Sequence, residues 1–482
     1  MTAESLALFA APWLMLLVYC AVVWWLSPAG VTASQFFRGG DEAGYAPAFW
    51  VLVFSAAITW VFAKSIDNAA SLSQAFGVTG GIGYAIYYLS FAVAAVTIYF
   101  IRTRGGHMSL SGFLVSKYGT LCARLFLIAI GIRLFNEVWS NTKVTARYFG
   151  SEGSSDYWIA AGLITAFTLF YAWRGGLRSS LLTDAGQMLL AAVLLVAVMI
   201  FVFPPLARIG LPEVTPAAHL AGVTFMGLAL VQVLSYPFHD PVLTDRAFLT
   251  EPKSMVKAFL VAGLIAGGFI LLFSTVGLYA RSAGLSGAAT VSVPMAFGLP
   301  MLLVFNAIML TSAGSTIDST FASSAKLTAV DWPNKGGDPD NRQLVTGRRT
   351  MVIIALAGNL PLLSIYLGDG VGPAVIAATT ISGTMVMGLA PIFLLSFLPS
   401  AGPASFHLAF WPGLAFGVIK TVEAATGTPI FPDWINIGGG KYADDLGINV
   451  YGLLICTTGY LLGAALFGRR VSLSAEGRDL SS

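Results

Sequence analysis

A run of hydroxyl side chains accompanies a carboxylate in segment 311–324. Four of the hydroxyl oxygens have the three- and four-residue spacing of one helix face: Ser312, Ser315, Thr316 and Ser319. Asp318 lies among them. One or two Ser or Thr residues in a membrane helix usually bond back to their own carbonyls. Several oxygens on one face suit a small alkali cation, because such ions prefer oxygen ligands and no thiol or imidazole cluster accompanies them.

Ionisable and amide side chains also lie inside apolar segments, where a charge costs about 2.5–3.5 kcal/mol. They are Lys64, Asp67 and Asn68; Arg133, Asn136, Glu137, Asn141 and Lys143; Asp184; and Asp318. Such residues usually line a polar path through the membrane. Because they fall in four separate segments, we expect these segments to face a shared aqueous cavity.

Two pairs of opposite charge have helical spacing. Lys64 and Asp67 are three residues apart, and Arg133 and Glu137 are four apart, so each pair can meet on one helix face. Each pair is either a self-contained ion pair that joins helices or part of the cavity. A cationic Lys64, with Arg133 nearby, can hold a solute carboxylate, or Asp67 can neutralise it so that it never meets the solute.

The elements that position these groups are long apolar helices. Of 482 residues, 56% are hydrophobic and 10% are charged, against roughly 25% charged in a soluble domain. A helix needs about 20 apolar residues to cross the hydrocarbon, and such blocks recur along the chain. The sequence predicts an all-α polytopic membrane protein of about thirteen transmembrane helices. The predicted spans lie near residues 6–26, 47–74, 79–101, 120–147, 157–173, 179–203, 220–238, 257–281, 297–328, 350–367, 373–398, 404–424 and 448–468.

The basic residues predict an orientation. One set of connections between the spans is rich in Lys and Arg, whereas the alternate set holds little beyond Arg208, Arg281 and Lys441. The basic-rich set is therefore expected in the cytoplasm. With thirteen spans, this places the N-terminus outside and the C-terminus inside a plasma (inner) membrane. The basic-rich set comprises Arg38; Arg102, Arg104 and Lys117; Arg174 and Arg178; Arg246, Lys253 and Lys257; Lys335, Arg342, Arg348 and Arg349; and Arg469, Arg470 and Arg478.

Two spans are predicted to be interrupted. Span 47–74 is too long for one straight crossing and contains the polar run 64–68, and span 220–238 ends next to Pro237 and Pro241. Interrupted helices at corresponding places in two halves point to a carrier's binding site. Spans two to six and seven to eleven are each five helices, and an odd number inverts the second set. We therefore expect an extra N-terminal helix and cytoplasmic loop (1–44), two five-helix repeats (45–203 and 204–400), and two C-terminal helices with a tail (401–482).

Two stretches of the sequence resemble the solute:sodium symporter family. The first is Trp173-Arg174-Gly175-Gly176-Leu177-Arg178 followed by Thr183-Asp184-Ala185-Gly186-Gln187, and the second is Ser315-Thr316-Ile317-Asp318-Ser319. The resemblance runs from about residue 45 to residue 400. It implies a LeuT-like inverted repeat of five plus five helices, with Na⁺ as the coupling ion and no other cofactor.

The resemblance also implies ligand positions. The main sodium site would use oxygens of Ser312, Ser315 and Thr316, completed by backbone carbonyls near Ile58 and Val61. A second cation site would draw on Asp184, Ser315, Asp318 and Ser319. The solute would lie near Ser65, Asn136 and Tyr236. Lys64 and Asp67 are added to the predicted solute site because of their charge and position, and not because of the resemblance. The chain departs from the family pattern at 68–71, where a glycine-proline-glycine stretch is usual, at 239–241, and at Lys64, which is unusual near the break. These departures affect the prediction of the solute more than that of the cation.

These observations predict a sodium-coupled secondary active symporter of a small polar organic solute, working by alternating access. The expected partners are the solute, Na⁺ and the lipid bilayer, with no nucleic acid, and the oligomeric state stays open. Proton coupling through Asp318, Asp184 or His239 is an alternative, as is a membrane sensor that binds solute without net transport. An enzyme is not expected, because no nucleophile–base pair, P-loop or metal motif occurs. His239 beside Asp240 is expected to be structural.

Overall fold

The computed structural model describes residues 3–41, 43–334, 337–380 and 382–468. This part of the chain is built from helices and contains no β-strand. The predicted cytoplasmic cations Lys335, Arg469, Arg470 and Arg478 lie outside these ranges. The α-helices are α1 (Ala3–Leu26), α2 (Ala33–Arg38), α3 (Phe49–Ile58), α4 (Ala63–Phe76), α5 (Val78–Ile86), α6 (Ser90–Gly105), α7 (Leu110–Tyr118), α8 (Thr120–Ala146), α9 (Ser155–Ile209), α10 (Pro216–Gln232), α11 (Pro241–Arg246), α12 (Pro252–Ser282), α13 (Ala289–Phe297), α14 (Leu299–Lys326), α15 (Asn341–Gly358), α16 (Gly368–Ala378), α17 (Leu389–Leu394), α18 (Pro403–Thr426) and α19 (Ala443–Phe467).

Shorter helical turns join several of these elements. Five are 3₁₀ helices and one is a π-helical turn at the end of α14. They are Tyr87–Leu89, Tyr236–His239, Leu360–Tyr366, Asp433–Ile435 and Gly440–Tyr442, and the π turn Leu327–Asp331.

Every predicted span overlaps a helix, but the number of crossings is not established. By length and hydropathy, eight helices in the described residues can cross a membrane, or nine if the bent pair α3 and α4 is one span. The 55-residue α9 counts once, although its backbone leaves the helical conformation at Gly176 (φ 53°, ψ −141°). Helix α10 has 17 residues and falls short of the length required. The predicted count of about thirteen is therefore neither reached by this criterion nor excluded by it.

Large apolar side chains cover the outside of the helix assembly. Leu264 on α12 is 78% exposed, and Val193 on α9 and Leu17 on α1 are similarly open. Water would penalise such a surface, whereas hydrocarbon accepts it. Together with the length of the helices, this surface identifies a multi-pass membrane protein, as the sequence predicts.

The first predicted interruption is present. Helices α3 and α4 are bent by 55° across residues 59–62. In an unbroken helix each carbonyl in this stretch would accept a hydrogen bond from the amide four residues later. Here the turn is tightened, with the Trp60 amide donating to the Ala57 carbonyl at 3.2 Å. The break therefore releases backbone oxygens in the interior of the protein.

The second predicted interruption follows α10. The chain passes through the 3₁₀ helix that contains Pro237 and restarts at Pro241 as the short helix α11. The Asp240 carboxylate accepts the Val242 amide at 3.0 Å and so caps α11. His239 Nδ1 donates to the Tyr236 carbonyl at 2.5 Å. Both side chains thus bond to the local backbone, in keeping with the structural role expected for them.

Helix α14 forms the centre of the assembly. In its most apolar stretch of 18 residues, 83% of the residues are buried. The helix packs against α3, α4, α8 and α9. Its hydroxyl-bearing face therefore lies against other helices and not against lipid. This packing places α14 in contact with helices from the three other predicted spans that carry ionisable residues.

Helices α4 and α12 approach each other very closely. The Ser73 hydroxyl donates to the Ser274 carbonyl at 2.6 Å. A Cβ at Gly277 would stand 1.9 Å from the Ala70 carbonyl oxygen, so a glycine is required there. The two helices are thus in backbone contact over this stretch.

Candidate functional site

A fully buried cluster of carboxylates and hydroxyls joins α9 to α14. Ser315 Oγ donates to Asp184 Oδ1 at 2.5 Å, and Ser180 Oγ donates to Asp318 Oδ1 at 2.9 Å. Ser319 Oγ also donates to Asp318 Oδ1, at 3.2 Å. The structure therefore brings together the residues predicted for the second cation site: Asp184, Ser315, Asp318 and Ser319.

Arg246 enters this cluster, which corrects the prediction that it belongs to a cytoplasmic loop. Its side chain is 0% exposed, and Nη2 lies 2.8 Å from both Asp184 Oδ2 and Ser319 Oγ. Its Nε donates to Ser55 Oγ on α3 at 2.8 Å. The prediction failed because the proline break turns α11 back into the protein, whereas the distribution of basic residues along the sequence carries no information about such re-entry.

The Arg246 guanidinium forms an ion pair with one of the two carboxylates of the cluster. Asp184 is paired with Arg246, so its charge is compensated inside the protein. Asp318 accepts only hydroxyls, among them Thr183 Oγ1 at 3.1 Å, and no basic side chain of the described residues forms an ion pair with it. The negative charge of Asp318 thus meets only hydroxyl groups within the described part of the cluster.

The residues predicted for the main sodium site are all fully buried: Ile58 at the end of α3, Val61 in the break, and Ser312, Ser315 and Thr316 on α14. Ser312 Oγ has no hydrogen-bond partner among the described residues. Thr316 Oγ1 donates back to the Ser312 carbonyl at 2.9 Å, which leaves its lone pairs able to accept. A buried hydroxyl without a partner is costly, so Ser312 is a candidate ligand.

Backbone carbonyls at the break are the other ligands predicted for this site. The Trp60 carbonyl accepts the Tyr88 hydroxyl at 2.7 Å, and the Phe62 carbonyl accepts the Ile66 amide at 3.0 Å. The carbonyls of Ile58 and Val61 accept no hydrogen bond from any residue that the structure describes. Two open carbonyls and an open hydroxyl form a set of hard oxygen donors, which fits an alkali cation.

A cavity of about 580 Å³ lies beside the break. Four of the five predicted solute residues line it: Lys64, Ser65, Asn136 and Tyr236. Asp67 does not line this cavity. Its carboxylate instead accepts Thr290 Oγ1 at 2.5 Å and lies 3.7 Å from Arg147 Nη1.

The two predicted ion pairs have opposite outcomes. Arg133 and Glu137 pair on α8, as their spacing predicts. Lys64 and Asp67 do not pair, because Asp67 lies within reach of a guanidinium and a hydroxyl from other elements. Helical spacing shows that two side chains can meet, but it contains no information about competing partners from elsewhere in the fold.

Several residues of the two regions were missed from the sequence. Ser180 precedes Asp184 by four residues, a helical spacing that could have revealed it. Ser55 and the cavity residues gave no comparable signal, because isolated aromatic and amide residues are common in membrane helices. The missed cavity residues are Trp60, Tyr84, Tyr87, Gln232, Thr380 and Ser382.

Comparison with known proteins identifies the fold. No family model and no curated protein matches the sequence. Among solved structures, the chain is similar to a Na⁺-coupled sialic acid symporter in a substrate-bound, outward-open state, with a TM-score of 0.71 and 16% sequence identity. The match covers 96% of this chain and 98% of that one.

The chain therefore has the fold of a sodium-coupled symporter, a class of all-α polytopic membrane transporters. This confirms the predicted fold class, and the resemblance of segments 173–187 and 315–319 to the solute:sodium symporter family is supported at the level of the fold.

Proposed function

We propose that this protein is a sodium-coupled secondary active symporter of a small polar organic solute, which works by alternating access. The observation that carries the proposal is the presence of buried oxygens without hydrogen-bond partners among the described residues: the Ile58 and Val61 carbonyls at the break and the Ser312 hydroxyl on α14. They are buried on packed helices of a symporter fold. In such folds unwound backbone carbonyls coordinate the coupling ion.

The broken span also explains how ion and solute can be coupled. Lys64 and Ser65 line the cavity and follow Val61 by three and four residues. A cation held by the Val61 carbonyl would fix the backbone of the break and thereby the start of α4. The solute would then meet a pre-organised cavity wall, so that binding of the ion favours binding of the solute.

We further propose that the protein lies in the plasma (inner) membrane with its N-terminus outside and its C-terminus in the cytoplasm. The charge distribution in the connections supports this orientation. The cavity reaches Lys441 and Tyr442, which belong to the connection predicted to be outside. Solute would accordingly enter the cavity from the outer face.

The ligands of the main site can be tested by sodium titration of solute uptake in proteoliposomes. Ser312→Ala removes the open hydroxyl and should raise the half-saturating Na⁺ concentration about tenfold, on the order of 1.4 kcal/mol of cation binding. Thr311→Val is the matched control, because the Thr311 hydroxyl on the same helix bonds to the Ala307 and Ile308 carbonyls. Equal sodium dependence in both variants would refute the site.

Proton coupling is a second candidate, and the unpaired carboxylate of Asp318 favours it. Uptake driven by a pH gradient in sodium-free buffer, and lost in Asp318→Asn, would support proton coupling. If Asp318 instead binds a second cation together with Ser315 and Ser319, the same variant should lower the steepness of the sodium titration. Uptake that requires Na⁺ at every pH would exclude the proton as the driving ion.

A further inference from the structure

The ammonium group of Lys64 is left without an ionic partner. Its Nζ lies 5.9 Å from the centroid of the Trp139 ring, on one wall of the cavity. Within the described ranges it forms no ion pair and no hydrogen bond, whereas the backbone amide of Lys64 donates to Asn141 Oδ1 at 3.2 Å. The nearest carboxylate in sequence, Asp67, is bound to Thr290 and Arg147.

The ionisable residues of the cavity wall have an excess of positive charge. Three are basic, namely Lys64, Arg133 and Lys441, and one is acidic, namely Glu137. Glu137 forms an ion pair with Arg133 and also accepts a hydrogen bond from Asn141 Nδ2 at 2.9 Å, so its negative charge is already compensated. The buried Asp240 lies 3.7 Å from Arg133 and caps α11, so it does not reach into the cavity. The positive charge at Lys64 therefore faces the cavity uncompensated.

A cation at membrane depth is costly unless it is hydrated or meets an anion. The cation–π contact with Trp139 offsets part of this cost but leaves the three ammonium donors free. A carboxylate in the cavity would accept them through charge-assisted hydrogen bonds, which are roughly twice as strong as neutral ones. The cavity wall around Lys64 thus recognises an acid better than a neutral solute of the same shape.

We infer that the solute carries a carboxylate or a similar acidic group, and that Lys64 is its specificity-determining contact. The inference rests on the proposed function, because it names the chemical class of solute for the same cavity. The remaining wall offers the Asn136 and Gln232 amides and the rings of Trp60 and Tyr87. Such a wall fits an organic acid with polar substituents on one side and an apolar face on the other.

The test is a binding measurement that compares acids with their amides. The purified full-length protein is titrated calorimetrically with small carboxylic acids, each matched by its carboxamide, in sodium chloride and in choline chloride. We expect an acid to bind at least ~10-fold more tightly than its amide. Lys64→Gln should abolish this preference, and Lys64→Arg should retain it. Lys253→Gln, a charge removed from an exposed position of α12, should leave it unchanged.

Equal affinity for acid and amide, an undiminished preference in Lys64→Gln, or failure of every acid to bind would overturn the inference. Retention of the preference in Lys64→Arg shows that the effect of Lys64→Gln is loss of charge and not loss of folding. The choline arm separates this inference from the proposed function. Acid binding that depends on Lys64 but not on Na⁺ would support the acidic solute class and refute sodium coupling. Sodium-dependent binding of amides alone would support sodium coupling and refute the acidic solute class.

Discussion

At the scale of single residues, the pair Arg246–Asp184 should be a major determinant of stability. Both side chains are fully buried, and removal of one partner leaves the other charge uncompensated in the interior. Breaking such a pair costs about 3–5 kcal/mol. Arg246→Gln should therefore lower the thermal unfolding temperature of the detergent-purified protein by several degrees, and the double variant with Asp184→Asn should recover part of the loss.

The matched control for this prediction is Arg38→Gln. Arg38 also pairs with an aspartate, Asp338, at 2.5 Å, but the two side chains are 53% and 81% exposed. Solvent screens an exposed ion pair, whose contribution is about 0–1 kcal/mol. An unfolding temperature that falls equally in Arg38→Gln and Arg246→Gln would show that burial does not set the strength of the Arg246 pair.

At this scale the sequence predicts residue types better than partners. The oxygen-rich face of α14 and the carboxylate of Asp184 were found because their spacing and their resemblance to a family are local features. The sequence did not predict that Arg246 enters the buried cluster, or that Lys64 and Asp67 fail to pair. Both depend on elements distant in sequence, and the choice between competing partners is made by the packing of the whole fold.

At the scale of secondary-structure elements, the bend of α9 depends on Gly176. Its φ of 53° is accessible to glycine at little cost. A Cβ there would also stand 2.6 Å from the Phe36 carbonyl oxygen. Gly176→Ala should destabilise the protein by about 1–3 kcal/mol, which would appear as lower yield and a lower unfolding temperature.

Gly162 on the same helix is the control for this position. It is exposed, and an added Cβ would meet nothing within 4 Å. Alanine is favoured over glycine in a helix interior by up to about 1 kcal/mol. Gly162→Ala should therefore leave stability unchanged or raise it, and a loss equal to that of Gly176→Ala would contradict the local explanation.

The interruptions were predicted well because their causes are local. Pro237 and Pro241 remove backbone donors, and the polar run 64–68 disrupts the apolar pattern of its span. The predicted number of about thirteen membrane crossings is neither confirmed nor contradicted by the eight or nine spans that meet the length and hydropathy criteria in the described residues. Whether the short helix α10, or the bent pair α3 and α4, is long enough to count as a crossing depends on how the ends of these helices pack. Hydropathy does not encode this packing.

At the scale of the whole molecule, a second ionic network ties the predicted cytoplasmic side together. Lys326 Nζ lies 2.7 Å from Asp245 Oδ1 and 2.9 Å from Asp331 Oδ2, and Ser111 Oγ donates to Asp331 Oδ1 at 2.8 Å. These contacts join α7, α11, α14 and the π turn. These contacts therefore stabilise the side of the molecule that is predicted to be cytoplasmic.

We expect Lys326→Gln to loosen this side. Without the ammonium, Asp245 and Asp331 would face each other without a counter-charge, and their repulsion would favour local opening. Hydrogen–deuterium exchange should rise several-fold in segments 241–246 and 327–331. Lys420→Gln is the control, because Lys420 bridges Glu423 and Asp444 and is equally exposed. Faster exchange at 241–246 in both variants would contradict a local role for Lys326.

The division into two repeats, 45–203 and 204–400, stays a prediction at this scale. An internal symmetry is a property of backbone arrangement, and the two halves of this sequence show no similarity that would reveal it residue by residue.

The backbone contact between α4 and α12 has a consequence for the surrounding lipid. Because the Ala70 carbonyl packs directly against Gly277, α4 and α12 are in backbone contact, and we expect a shift of one helix to carry the other. Helix α12 presents Leu264 to the acyl chains. In the proposed transport cycle, a displacement of the cavity wall should accordingly push on the bilayer, and solute uptake should slow as acyl chains are lengthened or stiffened.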